Sequence, residues 1–305
     1  MPTEPRIAVV IVTYNSADVL AGCLEALKDG ARGVRLTDVV VADNASADES
    51  LRIAKEATGI PIRTVQLGRN AGYAAGFNAG VATLSDYDAV LLLNPDCRLR
   101  PGTLAVLAQA LTVGKRGMVA PKLLNTDGTL QPTLRRTPTV RGTWAEALIG
   151  GRRAGRPGGP GELVFDEAAH DRPGRPAWVT GCALLMSAAC LAGVGPWDES
   201  FLLYSEETEF IFRAADQGWT LWYEPAAVVE HIGGESATHP GLAALLVVNK
   251  VKLFRRRNGR LRSAAYFGGV LACQALRALL GNRPARTATA WLLRPSRRIT
   301  TLDQL

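Results

Sequence analysis

The apolar positions of the first 120 residues form short, strand-like runs separated by stretches of helical spacing. Arg6–Val12 (RIAVVIV) is continuously apolar and β-branched, the pattern of a strand covered on both faces. Asp38–Val41, Ile62–Gln66 and Ala89–Leu93 repeat it. Between these runs, helical spacing predicts a helix over Ala17–Lys28 capped by Ser16, one over ESLRIAKEA capped by Asp48, and a glycine-punctuated one near Ala74–Leu84. Another is expected to start on Pro101, since proline suits the first helical position, and to reach Leu111. Repeated strand–helix units predict an α/β fold with a doubly wound, mostly parallel sheet. Such sheets bind ligands beyond the carboxyl ends of their strands. Thr13-Tyr14-Asn15, Asp43-Asn44 and Asn94-Pro95-Asp96 all fall there, so they are expected to converge on one crevice.

After Met118–Leu123 the pattern loosens. NTDGTLQPT reads as a turn around Asp127-Gly128. Residues 150–176 hold seven Gly and four Pro, which predicts a flexible loop, either a substrate lid or a plain insertion. Order resumes at Trp178–Met186, and a helix is expected around Glu207–Gln217, stopping at Gly218. From about Pro240 apolar and basic residues alternate on helices.

Charge changes this picture more than composition does. The net charge is +7, yet Ser236–Leu302 contains no Asp or Glu, while 13 Lys and Arg lie between Lys250 and Arg298. The body must therefore be acidic and the tail strongly basic, which points to an anionic partner for the tail. Interleaved Leu245, Leu246, Val248, Val251, Leu253, Phe254, Tyr266, Phe267 and Leu271 make it amphipathic, so an anionic membrane surface is the expected partner. The longest uncharged apolar stretch, Ser263–Leu276, stops at Arg277 and is too short to span a bilayer. MPTEPRIAVV lacks the charged-then-apolar order of an export signal. The five cysteines show no C-x-x-C spacing, which argues against a disulfide framework or zinc cluster and fits a reducing cytosol.

Four groups of residues carry candidate chemistry. Asp43 and Asn44 at a strand end can read a pyrimidine edge and a ribose hydroxyl, or simply form an Asx turn. RNAGYAAGFNAG (Arg69–Gly80) offers orienting amides at Asn70 and Asn78 and lets backbone approach a ligand, with helix packing as the alternative. Asp96 can hold a hard divalent cation that bridges two phosphates, and His231 in HIGGES can complete that site. Glu206, Glu207 and Glu209 crowd one turn; such crowding marks a carboxylate kept as a base, or acids drawn to a helix N-terminus. Trp178, Thr180, Gly181, Trp197, Asp198 and Glu199 lie just upstream and suit a sugar ring.

Taken together, IVTYNS, VVADNASADES, NAGYAAGFNAG, LLLNPDCRLRPG, TGCALLM, GPWDESFLLYSEETEFIFRAADQGW and the following H-x-G-x-x-S resemble a family 2 glycosyltransferase of GT-A fold, over about residues 6–236. The similarity is greatest to the bacterial rhamnosyltransferase-like branch. The resemblance implies a Rossmann-like nucleotide-sugar half over about 1–122 and an acceptor half over about 123–238, followed by the helical, membrane-associating tail at 239–305. It places Thr13, Tyr14, Asn15, Asp43, Asn44, Asn70, Gly72, Asn78 and Asn94 at the nucleotide sugar. Asp96 and His231 would hold Mn²⁺ or Mg²⁺ against the diphosphate, and Asn94-Pro95-Asp96 stands where the family's Asp-x-Asp motif falls. Glu207 takes the position of the catalytic base, where the family commonly has Glu-Asp for Glu206-Glu207. Thr180, Gly181, Trp197, Asp198 and Glu206 would face the acceptor.

The implied reaction is inverting transfer of L-rhamnose from a dTDP donor to a polyprenyl-diphosphate-linked or glycan acceptor, in cell-wall or surface polysaccharide assembly at the cytoplasmic face of the membrane. A UDP-linked galactofuranose or another hexose is the alternative donor. A sugar-nucleotide pyrophosphorylase would need a Gly-rich basic loop after the first strand, and TYNSAD is not one. Nucleic-acid binding is disfavoured because the tail has few aromatics among its arginines and no recognisable module.

Overall fold

The computed structural model describes residues 4–233 and 239–304. Ser236 of the H-x-G-x-x-S motif and the expected domain boundary at 238 lie outside the described residues. The first half consists of β1 (Arg6–Thr13), α1 (Ala17–Gly30), β2 (Arg35–Asp43), α2 (Ser50–Glu56), β3 (Ile62–Gln66), α3 (Tyr73–Val81), β4 (Ala89–Leu93), β5 (Cys97–Leu99) and α4 (Thr103–Leu111). β1 to β4 pair in parallel in the order β3-β2-β1-β4. β1 reads as one apolar run because both its faces are covered. Val9 and Ile11 meet α1 and α4, whereas Ala8, Val10 and Val12 meet α3. A Cβ at Gly76 or Gly80 would lie 2.6 Å from a methyl of Val12 or Val10, so these two glycines serve the close seating of α3 on β1.

One expected cap and one expected helix start differ. α1 begins after Ser16, but Ser16 makes no capping bond; Asp48 instead accepts from Ala17 N at 2.8 Å across the strand ends. α4 begins at Thr103 rather than Pro101. Gly102 adopts φ 73°, and Thr103 N and Oγ1 both bond Arg100 O, at 3.1 and 2.7 Å. A left-handed residue cannot sit inside a right-handed helix, so Pro101 belongs to the preceding turn.

The second half adds β6 (Arg116–Leu124), β7 (Leu134–Arg135), α5 (Val140–Ile149), α6 (Gly151–Ala154), α7 (Glu167–His170), β8 (Trp178–Val179), β9 (Ala183–Ser187), α8 (Ala188–Val194), α9 (Glu206–Asp216) and β10 (Thr220–His231). The sheet continues as β4-β9-β6-β10-β5, with β9 antiparallel to both neighbours and β5 antiparallel to β10 at the edge. Residues 150–176, expected as a flexible loop, carry α6 and α7 and are tied to the body by Val164 N→Leu134 O (3.0 Å) and Arg136 N→Glu162 O (2.8 Å). His170 is fully buried there; burial pushes its pKa down, so the neutral ring faces Thr133 N and Leu134 N at 3.3 and 3.4 Å. The glycines and prolines of this segment shape turns in a packed insert.

The tail forms α10 (Pro240–Arg257), α11 (Arg260–Leu279) and α12 (Arg283–Leu293). It was expected to offer its apolar residues to a membrane, but it packs on the body instead. Leu245, Val248, Val251, Leu253, Phe254 and Tyr266 are buried, most of them in a third core shared with Val140, Leu202, Leu203 and Tyr204. Several cations are also taken up by the body: Lys250 by Glu162, Arg256 by Asp198, Arg257 by Asp216 at 2.8 Å, and Lys252 by Ser200 O at 2.6 Å. No described helix is long and apolar enough to cross a membrane.

Candidate active site

The parallel register sets Thr13 beside Asp43 at the ends of β1 and β2. Thr13 Oγ1 donates to Asp43 Oδ1 at 2.9 Å, and Ser46 donates from its N to Oδ2 (2.9 Å) and from its Oγ to Oδ1 (2.5 Å). Asp43 is therefore fully buried in an Asx-type turn. Asn15, left-handed at φ 50°, accepts from Ala47 N at 2.8 Å. Asn44 accepts from Ala71 N at 3.1 Å and donates to Gly72 O at 3.3 Å, fastening the loop ahead of α3. These bonds shape the floor of a cleft of about 420 Å³ lined by Thr13, Tyr14, Asn44, Asn70, Gly72 and Tyr73. Its opposite wall is Leu203, His239, Leu242 and Leu302. Four of the eleven residues lining this cleft therefore come from the tail and the loop that the tail covers.

The Asn94-Pro95-Asp96 turn leads from β4 into β5. Asn94 N donates to Cys182 O at 2.7 Å, and Ile232 N to Asp96 O at 3.0 Å, which draws the end of β10 alongside. His231 Nε2 lies 3.2 Å from Asp96 Oδ2, and its Nδ1 lies 2.7 Å from Gln131 Oε1. Burial alone would lower the His231 pKa, but the hydrogen bond to Asp96 and the charge of Cys182 raise it to about 9. Asp96 Oδ1 is buried without a hydrogen-bond partner. A desolvated carboxylate oxygen beside an imidazole fits a divalent cation, since a buried polar atom left unsatisfied is costly.

The carboxylates on α9 are presented by a strained loop. Leu202, Tyr204 and Ser205 have φ of 63°, 69° and 75°, a region costly for residues other than glycine. Two outside contacts hold it. Tyr73 N donates to Leu202 O at 2.9 Å, and Asn249 Nδ2 on α10 donates to Phe201 O, Leu203 O and Tyr204 O at 2.7, 2.9 and 3.2 Å. Gly72 is required by the first contact, because a Cβ there would fall 2.1 Å from Leu202 O.

The three acids then separate into roles. Glu209 pairs with Arg213 one turn on, at 3.0 Å. Glu206 is 2 % exposed with Oε2 unpartnered, and burial followed by the Glu207 charge pushes its pKa well up. It is therefore a carboxyl turned inward, in surroundings that favour its neutral form. Glu207 is half-buried, its pKa raised by burial and eased down by backbone N–H groups and the nearby Arg135 charge. It lies against Gly181, where a Cβ would come within 3.0 Å of Glu207 Cβ and Cγ. Tyr73 bridges the two ends of the site, its hydroxyl meeting both Asn94 Oδ1 and, at 3.3 Å, Gly181 O.

Other expected ligand residues have structural tasks. Trp197 is buried between Phe77 and Phe210, at ring distances of 4.8 and 5.4 Å. Asp198 caps Ser200 N at 2.8 Å and pairs with Arg256; against the upward push of burial, these bonds hold it at about 2. Asn78 clamps Trp197 through both its N and its O at 2.9 Å. Thr180 Oγ1 accepts from Arg135 at 3.4 Å. Tyr73, Arg135, His239, Asn249 and Leu302 were not foreseen. Asn249 alone left a signal: an amide inside the apolar run LLVVNKVKLF.

Residues 8–161, just over half the chain, match the family model described as glycosyl transferase family 2. The chain is 27% identical to N-acetylglucosaminyl-diphospho-decaprenol L-rhamnosyltransferase of Mycobacterium tuberculosis, over 76% of this chain and 79% of that protein. It is 26% identical to the low-salt glycan biosynthesis hexosyltransferase Agl10 of Haloferax volcanii, over 68% of this chain and 61% of that one. Among solved structures, the mannosyltransferase PcManGT of Pyrobaculum calidifontis, in complex with GDP-Man and Mn²⁺, superposes with a TM-score of 0.58 at 17% identity, covering 96% of this chain and 86% of that one. The fold is GT-A, as the sequence resemblance implied.

Proposed function

The chain belongs to the family 2 glycosyltransferases, and from that premise we propose that it transfers L-rhamnose from a nucleoside-diphosphate donor to a polyprenyl-diphosphate-linked sugar. The mycobacterial relative supports this choice of donor and acceptor. The observation that carries the reading is the link through Tyr73, which joins the Asn94-Pro95-Asp96 turn to the Gly181 backbone that Glu207 rests on. The Asn94-Pro95-Asp96 turn and the Gly181 backbone beside Glu207 therefore meet at Tyr73, which itself lines the cleft.

In this reading the nucleotide lies over Thr13, Tyr14, Asn44 and Asn70, against Leu242 and Leu302. Asp96 and His231 would hold Mn²⁺ or Mg²⁺, which supplies charge neutralisation at the departing diphosphate. Glu207 takes the proton of the acceptor hydroxyl as that oxygen attacks the anomeric carbon from the face opposite the diphosphate. Burial favours the neutral form of Glu206, which spares Glu207 a second negative charge. Arg135, whose Nε is buried without a partner and whose guanidinium lies 5.3 Å from the Trp178 ring, favours the ionised base.

Attachment to an anionic inner leaflet is assigned to the outer ends of α11 and α12. There Leu261, Leu279, Leu280 and Leu293 are exposed among Arg260, Arg262, Arg277, Arg283 and Arg294. Each such cation is worth about 1 kcal/mol near anionic lipid. The test is a panel of nucleotide sugars offered with a lipid-linked N-acetylglucosamine acceptor. Rhamnosyl transfer from dTDP-rhamnose is the expected outcome; preferential use of a UDP-hexose overturns the sugar assignment, and no transfer from any donor overturns the reaction.

A further inference from the structure

We propose that Cys97, Cys182 and His231 form a site for a soft divalent cation, zinc foremost, that shares His231 with the donor-metal site and so competes with it. The sequence spacing of the cysteines gives no zinc motif; the sheet brings them together. Cys97 opens β5 and is register-paired with His231 on β10. Cys182 immediately precedes β9, and its carbonyl lies 3.5 Å from Cys97 Sγ. The two sulfurs and an imidazole nitrogen all lie within 4.8 Å of one another. Tetrahedral zinc, with bonds of about 2.3 Å to sulfur and about 2.0 Å to nitrogen, sets its ligands less than about 4 Å apart, so a small contraction closes the shell.

Asp96, 3.2 Å from His231 and with Oδ1 unpartnered, is placed to be the fourth ligand. The donor set selects its cation: thiolates favour zinc and cadmium, whereas Mn²⁺ and Mg²⁺ prefer oxygen. Both cysteines are nearly fully buried, so the ion enters past His231, whose side chain keeps 14% of its surface open. On binding, each thiol and the His231 imidazolium give a proton to solvent as the metal–sulfur and metal–nitrogen bonds form, and no electron is transferred. Zinc seated there holds His231 and Asp96 away from the diphosphate and stops transfer. Neither thiol has another part in the proposed reaction.

The competition rests on reading Asp96 and His231 as the donor-metal site; the thiol site itself does not. Reduced full-length protein titrated with Cd²⁺ should show sulfur-to-metal charge-transfer absorption that saturates at one equivalent. Cys97→Ala and Cys182→Ala should each weaken Cd²⁺ binding by more than the roughly 10- to 100-fold that loss of an outer-shell partner costs, while Cys190→Ala, in the other core layer on α8, leaves it unchanged. Zinc X-ray absorption on the loaded wild type needs no variant and should report two sulfur ligands. Absence of sulfur in that shell, or a band that survives the Cys97→Ala/Cys182→Ala double variant, overturns the site. Mn²⁺ bound to the wild type and followed by paramagnetic resonance should be released by zinc; simultaneous binding of both ions overturns the sharing. If Asp96→Ala leaves Mn²⁺ binding untouched while the cadmium band persists, the donor-metal reading fails and the thiol site stands.

Discussion

The first four strands and the last three helices carry equally clear apolar patterns, yet those patterns say different things. Around β1 to β4 the apolar run sets both strand position and covering, because a buried parallel strand needs a layer on each face. Thr13, Asp43 and Asp96 then stand at strand ends by geometry alone. In α10–α12 the amphipathic pattern says only that something covers the apolar face. A bilayer and a protein surface satisfy it equally, since burial is non-directional. Here the cover is Val140 and the Leu202–Tyr204 loop. What looks like an appendage in the sequence is one wall of the cleft and the clamp on the loop that presents Glu207.

The sharpest way to break this contrast is to remove the tail. A chain ending before Pro240 should lose donor binding and transfer completely and melt at lower temperature, because its third core is gone. A separable tail would leave nucleotide binding, read by calorimetry, unchanged. Next, Glu207→Gln should lower transfer by about two to four orders of magnitude with donor affinity retained. Since burial raises the Glu207 pKa, the base form is lost as pH falls through a value above the usual Glu range. The wild-type rate should therefore drop on that acid limb, while the residual rate of the variant stays flat. An active Glu207→Gln beside a dead Glu206→Gln would exchange their roles.

Smaller effects test the clamp and the wall. Asn249→Ala leaves buried carbonyls without a donor, at about 1–3 kcal/mol each. It should lower both Tm and kcat while KM for the donor changes little; a loss of Tm alone would make Asn249 merely structural. Leu302→Ala removes methylenes worth about 0.8 kcal/mol each, so nucleoside-diphosphate affinity should weaken by roughly tenfold. Smallest for catalysis is Leu279→Glu with Leu280→Glu. It should abolish sedimentation with anionic vesicles while sparing turnover of a soluble acceptor.

Much of the site was legible because it lies at strand ends, where period and turn chemistry fix position. Asp96 and His231 lie 3.2 Å apart, and Glu207 stays half-buried where its neighbour Glu206 is buried. Trp197, Asp198 and Asn78 were read as ligand contacts because aromatic and polar side chains suit sugars, and the same chemistry suits a core stack, a cap and a clamp. The glycine- and proline-rich insert shows the same ambiguity: composition reports turns, and the buried His170 that fastens this insert leaves no periodic trace.

The doubly wound sheet, the crevice at its carboxyl edge and the family follow from local periodicity and from motifs in order along the chain. The burial of Glu206 beside a half-buried Glu207, the hold of Asn249 on the strained loop and the meeting of Cys97 and Cys182 at His231 emerge from the folded chain alone. Those facts depend on contacts between segments far apart in the chain, such as Asn249 with Phe201 and Cys97 with Cys182. No local pattern encodes which of several apolar or polar faces will meet, because burial rewards any cover of the right shape.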